Sequence, residues 1–263
     1  MSTPILYAIC GLIVGALVGL TGVGGGSLMT PVLVIVFGQP PSVAVGTDLL
    51  FSASTKLVAT ASFGFSHRVD WRIVGRLAIG SIPAASGVLL WFWLDHRPPG
   101  VVDALISRCL AVILVIAAVA LLLHDSLRRW GMDFTASWFI GTERHKVALT
   151  ILAGCLLGVG VTMTSVGAGA LGVAALVALY PLRLPSDRLV ATDIAHALPI
   201  TIIAAAGHAV LGHVDLRALA CLLIGSIPGV LLATRAAIRI PPRITRTFIA
   251  IMLALVSVRL FAA

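Results

Sequence analysis

Thr21-Gly22-Val23-Gly24-Gly25-Gly26-Ser27 interrupts an otherwise apolar stretch, and Leu28 to Pro31 follow at once. Glycine inside a helix costs roughly 0.5–1 kcal/mol relative to alanine, so four this close together mark a break. A second interruption, Thr164-Ser165-Val166-Gly167-Ala168-Gly169-Ala170, stands 143 residues later. Bare backbone survives at membrane depth only where it is buried in protein or lines a wet cavity. Glycine interruptions in corresponding places of two apolar halves therefore point to a binding site of the kind that transporters build.

The chain around these breaks reads as a polytopic, all-α membrane protein. Of its 263 residues 59% are hydrophobic and 11% charged, against about 25% charged in a soluble domain. The net charge of +8 comes from basic residues between apolar segments, where membrane orientation accounts for them. No interleaving of bases and aromatics suggests nucleic acid. Cys10, Cys109, Cys155 and Cys221 lie in apolar runs without C-x-x-C spacing, as small buried hydrophobes do. Met1-Ser2-Thr3-Pro4 carries no basic residue ahead of the first apolar run, so a cleavable signal peptide is not expected.

In order, apolar segments are expected over about 4–20, 27–38, 43–65, 71–94 and 101–123. A polar linker covers 124–146, where Trp130, Phe134, Trp138 and Phe139 suggest a piece lying at the interface as readily as a simple connection, and further segments cover about 147–163, 169–180, 189–211, 216–237 and 243–261. The domains are then a first repeat over 1–123, a linker over 124–146 on the cytoplasmic side, and a second repeat over 147–263. The 27–38 segment is too short for a bilayer: a dozen residues rise about 18 Å, and the hydrocarbon core is roughly 30 Å. Ser27 is placed to cap it. Duplication is written in one offset of 145 residues, which carries Thr47-Asp48 onto Thr192-Asp193. It also carries Val69-Asp70 onto Val214-Asp215, and Gly80-Ser81-Ile82-Pro83 onto Gly225-Ser226-Ile227-Pro228. With both termini outside, Arg68, Arg72, Arg128, Arg129, Arg144, Lys146 and further arginines through Arg246 collect on inward connections. Only Arg97, Arg217 and Arg259 fall outward, as the positive-inside rule requires. Five segments per half make the repeats inverted, with the glycine-broken helices short or re-entrant.

Helix starts at Ser27 and Ala170 would present unpaired amides and partial positive charge to an anion. Gly22, Gly24, Gly25, Gly26, Gly167 and Gly169 let it come close. The plain alternative is that these glycines serve tight helix packing. Ionisable residues inside the segments come next, because each is costly in a bilayer unless paired. Lys56, Ser52 and Asp48 lie along one side of the third segment. Asp193 and His196 are neighbours in its counterpart, with Thr201 in place of Lys56. Lys56 would supply charge, and Thr47, Ser52, Thr192 and Thr201 would supply hydroxyls. Asp48, Asp193 or His196 would carry a coupling proton. The alternatives are a structural Lys56–Asp48 pair, helix-start capping by the aspartates, and a packing role for His196.

Gly22-Val23-Gly24-Gly25-Gly26-Ser27-Leu28, with Pro31 and Leu33, resembles the N-terminal signature of the sulfite exporter family TauE/SafE, also called toluene-sulfonate uptake permeases. Val45-Gly46-Thr47-Asp48 and Gly80-Ser81-Ile82-Pro83 extend the likeness across the chain. The second copy departs from the signature, with Ser165 and Ala168 in place of glycines and no proline matching Pro31. The resemblance implies a secondary transporter of sulfite, an organosulfonate or a related small sulfur-containing anion, by alternating access in the bacterial inner membrane, with no cofactor and no enzymatic activity. A cation or metal permease, or an intramembrane enzyme, would instead need convergent carboxylates, thiolates or polar loop clusters.

Overall fold

The computed structural model describes residues 3–21, 26–63, 69–95, 97–138, 143–167, 169–236 and 242–262. Among these residues the chain is helical throughout its regular structure. The first half holds α1 (Thr3–Thr21), α2 (Gly26–Ile35), α3 (Pro41–Phe63), α4 (Trp71–Leu94) and α5 (Pro99–Leu122). The linker carries α6 (His124–Trp138), and the second half holds α7 (Glu143–Thr164), α8 (Ala170–Leu179), α9 (Ser186–Val210), α10 (Leu216–Ala236) and α11 (Pro242–Ala262). Among the described residues, 71–94, 100–122, 144–164, 188–210 and 216–233 are long and apolar enough to cross a membrane. Exposed Trp71, Trp93, Leu156 and Ile224 give these helices an apolar outer surface, as lipid contact requires.

The ends of the helices follow local chemistry. Asp70 precedes α4 and accepts the Ile73 amide through Oδ1 at 3.3 Å, and Asp215 accepts the Ala218 amide at 3.0 Å ahead of α10. Prolines open α3 and α5, where a missing N–H leaves nothing unpaired. The short helices α2 and α8 have ten residues each, about 15 Å at 1.5 Å per residue, or half a bilayer core. The linker forms a helix, α6, whose Gly131 packs on the backbone of Ala178 in α8.

The two halves exchange helices. α1 packs along α10 and α7 along α4, while α3 meets α9 and α5 meets α11. Glycines make the first two crossings possible. A side chain on Gly80 would run into the carbonyl of Ile151 and one on Gly154 into that of Leu77; Gly225 meets Ala8 and Gly11 meets Leu222 in the same way. Without a hydrophobic gain between helices in lipid, such backbone approach is what holds them together. The Gly80-Ser81-Ile82-Pro83 and Gly225-Ser226-Ile227-Pro228 motifs are thus crossing points within helices that continue through them.

Candidate functional site

At the first interruption Gly22, Gly24 and Gly25 lie outside the described residues. Gly26 opens α2, so Ser27 lies within the first turn and not ahead of it as a cap. The second interruption is described except for Ala168. α7 ends at Thr164, whose hydroxyl donates to the Gly160 carbonyl at 2.7 Å and accepts the Val166 amide at 3.2 Å. The backbone then turns through Ser165 (φ 60°), Gly167 (φ 123°) and Gly169 (φ 141°) into α8. Glycine is needed at the last two, since side chains are strained at such angles. Gly172 and Val173 return their amides to Gly167 and Gly169, each at 3.0 Å. The first amides of α8 keep no partner within the helix.

A buried charged cluster between α3 and α9 touches both short helices, at Thr30 of α2 and at Gly172 of α8. Asp48 is fully buried, and Lys56, Asp193 and His196 are 2% exposed. Asp48 Oδ2 accepts the backbone amide of Thr30 in α2 at 3.0 Å and also its hydroxyl. Ser52 donates to Oδ1 at 3.5 Å. Ser165, from the second half, lies beside the same carboxylate with its hydroxyl lacking an aligned partner. The Lys56 ammonium lies in the field of two carboxylates, Asp193 of the other half and Asp48 of its own. A pair of Lys56 with Asp48 alone is therefore incomplete. Asp193 Oδ1 lies against the Cα of Gly172 in α8, where a Cβ would collide with it. His196 Nε2 is 3.0 Å from Ser81 Oγ in α4 and feels Lys56 electrostatically. Both aspartates are the eighth residue of their helices, so neither caps its own helix start.

The structure places the four expected hydroxyl residues differently. Thr47 and Thr192 clasp the opposite half: Thr47 Oγ1 accepts the amide of Asp215 at 2.9 Å, and Thr192 Oγ1 accepts that of Asp70 at 3.1 Å. Ser52 stays with Asp48. Thr201 donates back to the Ala197 and Leu198 carbonyls within its helix, at 3.0 and 2.9 Å. Among the described residues no three histidines, cysteines or acids converge as a metal-binding set.

Sequence reasoning passed over Thr30, Ser81, Ser165 and Gly172. Two carried a readable signal. Ser165 takes the place of Gly22 under the 143-residue offset. Ser81 is matched by Ser226, whose hydroxyl is buried without a partner, and the 145-residue offset carries His196 onto Phe51. Thr30 and Gly172 had none, since each matters only through an aspartate on another helix.

Residues 7–260 match the family described as "Sulfite exporter TauE/SafE". The chain is 40% identical over 246 residues to "Probable membrane transporter protein YjnA" of Bacillus subtilis (strain 168), which covers 92% of this chain and 93% of that protein. It is 36% identical over 80 residues to "Probable membrane transporter protein YunE" of the same organism, covering 30% of this chain and 26% of the relative. A "Probable membrane transporter protein" of Xylella fastidiosa (strain 9a5c) is 32% identical over 80 residues, 30% of this chain and 31% of the relative. No solved structure matches the chain. With a glycine-bounded short helix in each half, a buried charge cluster between them, and a family match spanning nearly all its residues, the chain belongs to the TauE/SafE sulfite exporter family of membrane transporters.

Proposed function

We propose that the protein moves a small sulfur-containing anion, such as sulfite or an organosulfonate, by alternating access between two inverted halves. The observation that carries this reading is the lysine buried between the halves. Lys56 feels carboxylates of both, Asp193 and Asp48, and these two meet the short helices at Gly172 of α8 and Thr30 of α2. A buried cation is costly unless something negative accompanies it, and helix starts favour anions. The site extends from Gly22, Gly24, Gly25, Gly26 and Ser27 on one side to Gly167 and Gly169 on the other.

Reciprocal contacts support the inverted relation. Thr47 takes Asp215 as Thr192 takes Asp70, and α1 lies on α10 as α7 lies on α4. Equivalent surfaces exchanged in this way are the signature of a two-fold axis. Five helices per half turn that axis into the membrane plane, and the inward excess of arginines sets both termini outside. A proton would be carried by Asp48, Asp193 or His196.

Purified protein in proteoliposomes tests the reading. It is expected to accelerate exchange of radiolabelled sulfite, methanesulfonate or thiosulfate over empty liposomes, and Lys56→Ala to abolish that exchange. Absence of flux for all three overturns the substrate class. Normal flux in the lysine variant removes Lys56 from the site.

A further inference from the structure

Helices α5, α7 and α8 leave a groove of about 630 Å³ between them, within the roughly 300–1,000 Å³ that ligand sites take. On α5 the groove follows Arg108, Val112 and Ile116, a stripe at four-residue spacing on one side of the helix. All three are exposed, as is Leu156 on the α7 side, so the groove opens where the protein meets lipid. Among the described residues that line it, Arg108 alone carries a charge. Arg108 stands nine positions after Pro99 in α5, about 13 Å along the span at 1.5 Å per residue. It forms no hydrogen bond or ion pair with another described residue. Asp103 is the one acid of α5, five positions back on a different face, and it accepts the Ser42 amide at 3.0 Å. A charge inside a span is costly unless one of opposite sign accompanies it.

We propose that this groove binds one anionic phospholipid from the leaflet on the Pro99 side, with its phosphate on Arg108 and one acyl chain laid along the groove. A guanidinium takes a phosphate through two parallel N–H donors. The arginine stem keeps its methylenes against apolar surface while the charge reaches toward the headgroup layer. From Arg108 to Ile116 the stripe runs about 12 Å, which leaves the chain below the headgroup an apolar bed. An apolar groove by itself accepts any lipid tail; the arginine selects an anionic head, as basic positions between membrane helices do. Gly167 and Leu171 close the groove, so the chain lies against the backbone that joins α7 to α8. The site is separate from the Lys56 cluster and does not depend on which ion is transported.

Purified protein in a neutral detergent, supplied with phosphatidylglycerol or phosphatidylcholine of identical acyl chains, tests the site by native mass spectrometry and by melting temperature. Phosphatidylglycerol is expected to be retained about fivefold more than phosphatidylcholine, the ratio that about 1 kcal/mol per arginine at a headgroup gives. It should also raise the melting temperature more. Arg108→Gln should bring the two lipids level, and Arg108→Lys should keep most of the preference. Ala175→Phe fills part of the groove on the α8 side without changing its charge, and should weaken retention of both lipids while leaving their ratio. Equal retention of the two lipids by wild type, or the wild-type preference in folded Arg108→Gln, overturns the proposal. If Arg108→Gln does not fold, Ala175→Phe decides, and phosphatidylglycerol retention unchanged in that variant overturns it. Glycerol 1-phosphate that stabilises the protein as well as phosphatidylglycerol does would assign Arg108 to a soluble anion, and overturns it too.

Discussion

Arg183 grips Asp70 from the opposite half of the chain, with Nη2 at 2.7 Å and Nε at 2.8 Å from the same Oδ2. At the equivalent point Asp215 is met by a neutral side chain, Gln39, whose Nε2 is 2.9 Å from Oδ2. Both donors follow the short helix of their own half, and both acceptors open a long helix of the other. One clasp is thus ionic and the other is not. Arg183 is 43% exposed, so Arg183→Gln is expected to cost less than about 1 kcal/mol and to lose even that in high salt. Asp70→Ala also removes the α4 cap and should cost about 1 kcal/mol more. Melting temperatures in detergent at low and high salt separate the two: only the clasp involving Asp70 should respond to ionic strength.

Gly80 and Gly75 lie five residues apart on α4 in opposite surroundings. A Cβ on Gly80 would strike the Ile151 carbonyl, whereas one on Gly75 meets nothing within 4 Å. Gly80→Ala should therefore destabilise by about 1–3 kcal/mol through overpacking, possible only if α7 shifts. Gly75→Ala should be neutral or stabilising by up to about 1 kcal/mol through helix propensity. Chemical denaturation of the two variants side by side checks the contrast, and equal losses would contradict the crossing.

Lys56→Met removes the one positive charge from the cluster and leaves two buried carboxylates facing each other across the halves. Breaking a buried pair costs about 3–5 kcal/mol when one partner is removed. Adding Asp193→Asn should recover a large part of that loss. A double-mutant cycle on stability is expected to give a coupling above about 1 kcal/mol for Lys56 with Asp193. Additive effects would mean that the two do not interact.

The His213 imidazole, in the connection between α9 and α10, is held below the usual histidine range by burial, with the Asp103 carboxylate pulling the other way. A depressed value means that the folded state resists the proton more than the unfolded chain does. Stability linked to this ring is present above the ordinary histidine value of about 6.5 and drains away as pH falls below it. Acidification from about pH 7.5 to about 5.5 should thus lower the melting temperature less in His213→Gln than in wild type.

Helix positions were largely legible because proline, glycine and charge punctuate long apolar runs. Trp71–Leu94 was placed without error, and other ends moved by a few residues. The short α2 and α8 were readable from length alone. What the linear pattern could not reveal is partnership between distant residues. Thr47 and Asp215 are 168 positions apart, and nothing local marks one as the acceptor for the other. Thr47 and Thr192 accordingly read as substrate hydroxyls and turn out to bind backbone. Asp48 and Asp193 read as proton carriers with helix-start capping as the alternative, and each meets a short helix beside its own, at Thr30 and at Gly172. At the single offset of 145 residues, Thr47 with Asp215 and Thr192 with Asp70 make the same contact in opposite directions.

The exchange of α1 and α7 between halves has a consequence for how the chain is made. The glycine face of α1 is complete only when it meets α10, about two hundred residues further along the sequence. During synthesis the first helix leaves the ribosome long before its companion exists, and it must wait in the translocon or the lipid with that face uncovered. Neither product of a cut within the linker contains a finished crossing, so each fragment alone should be cleared by proteases, and only their joint production should yield an intact protein.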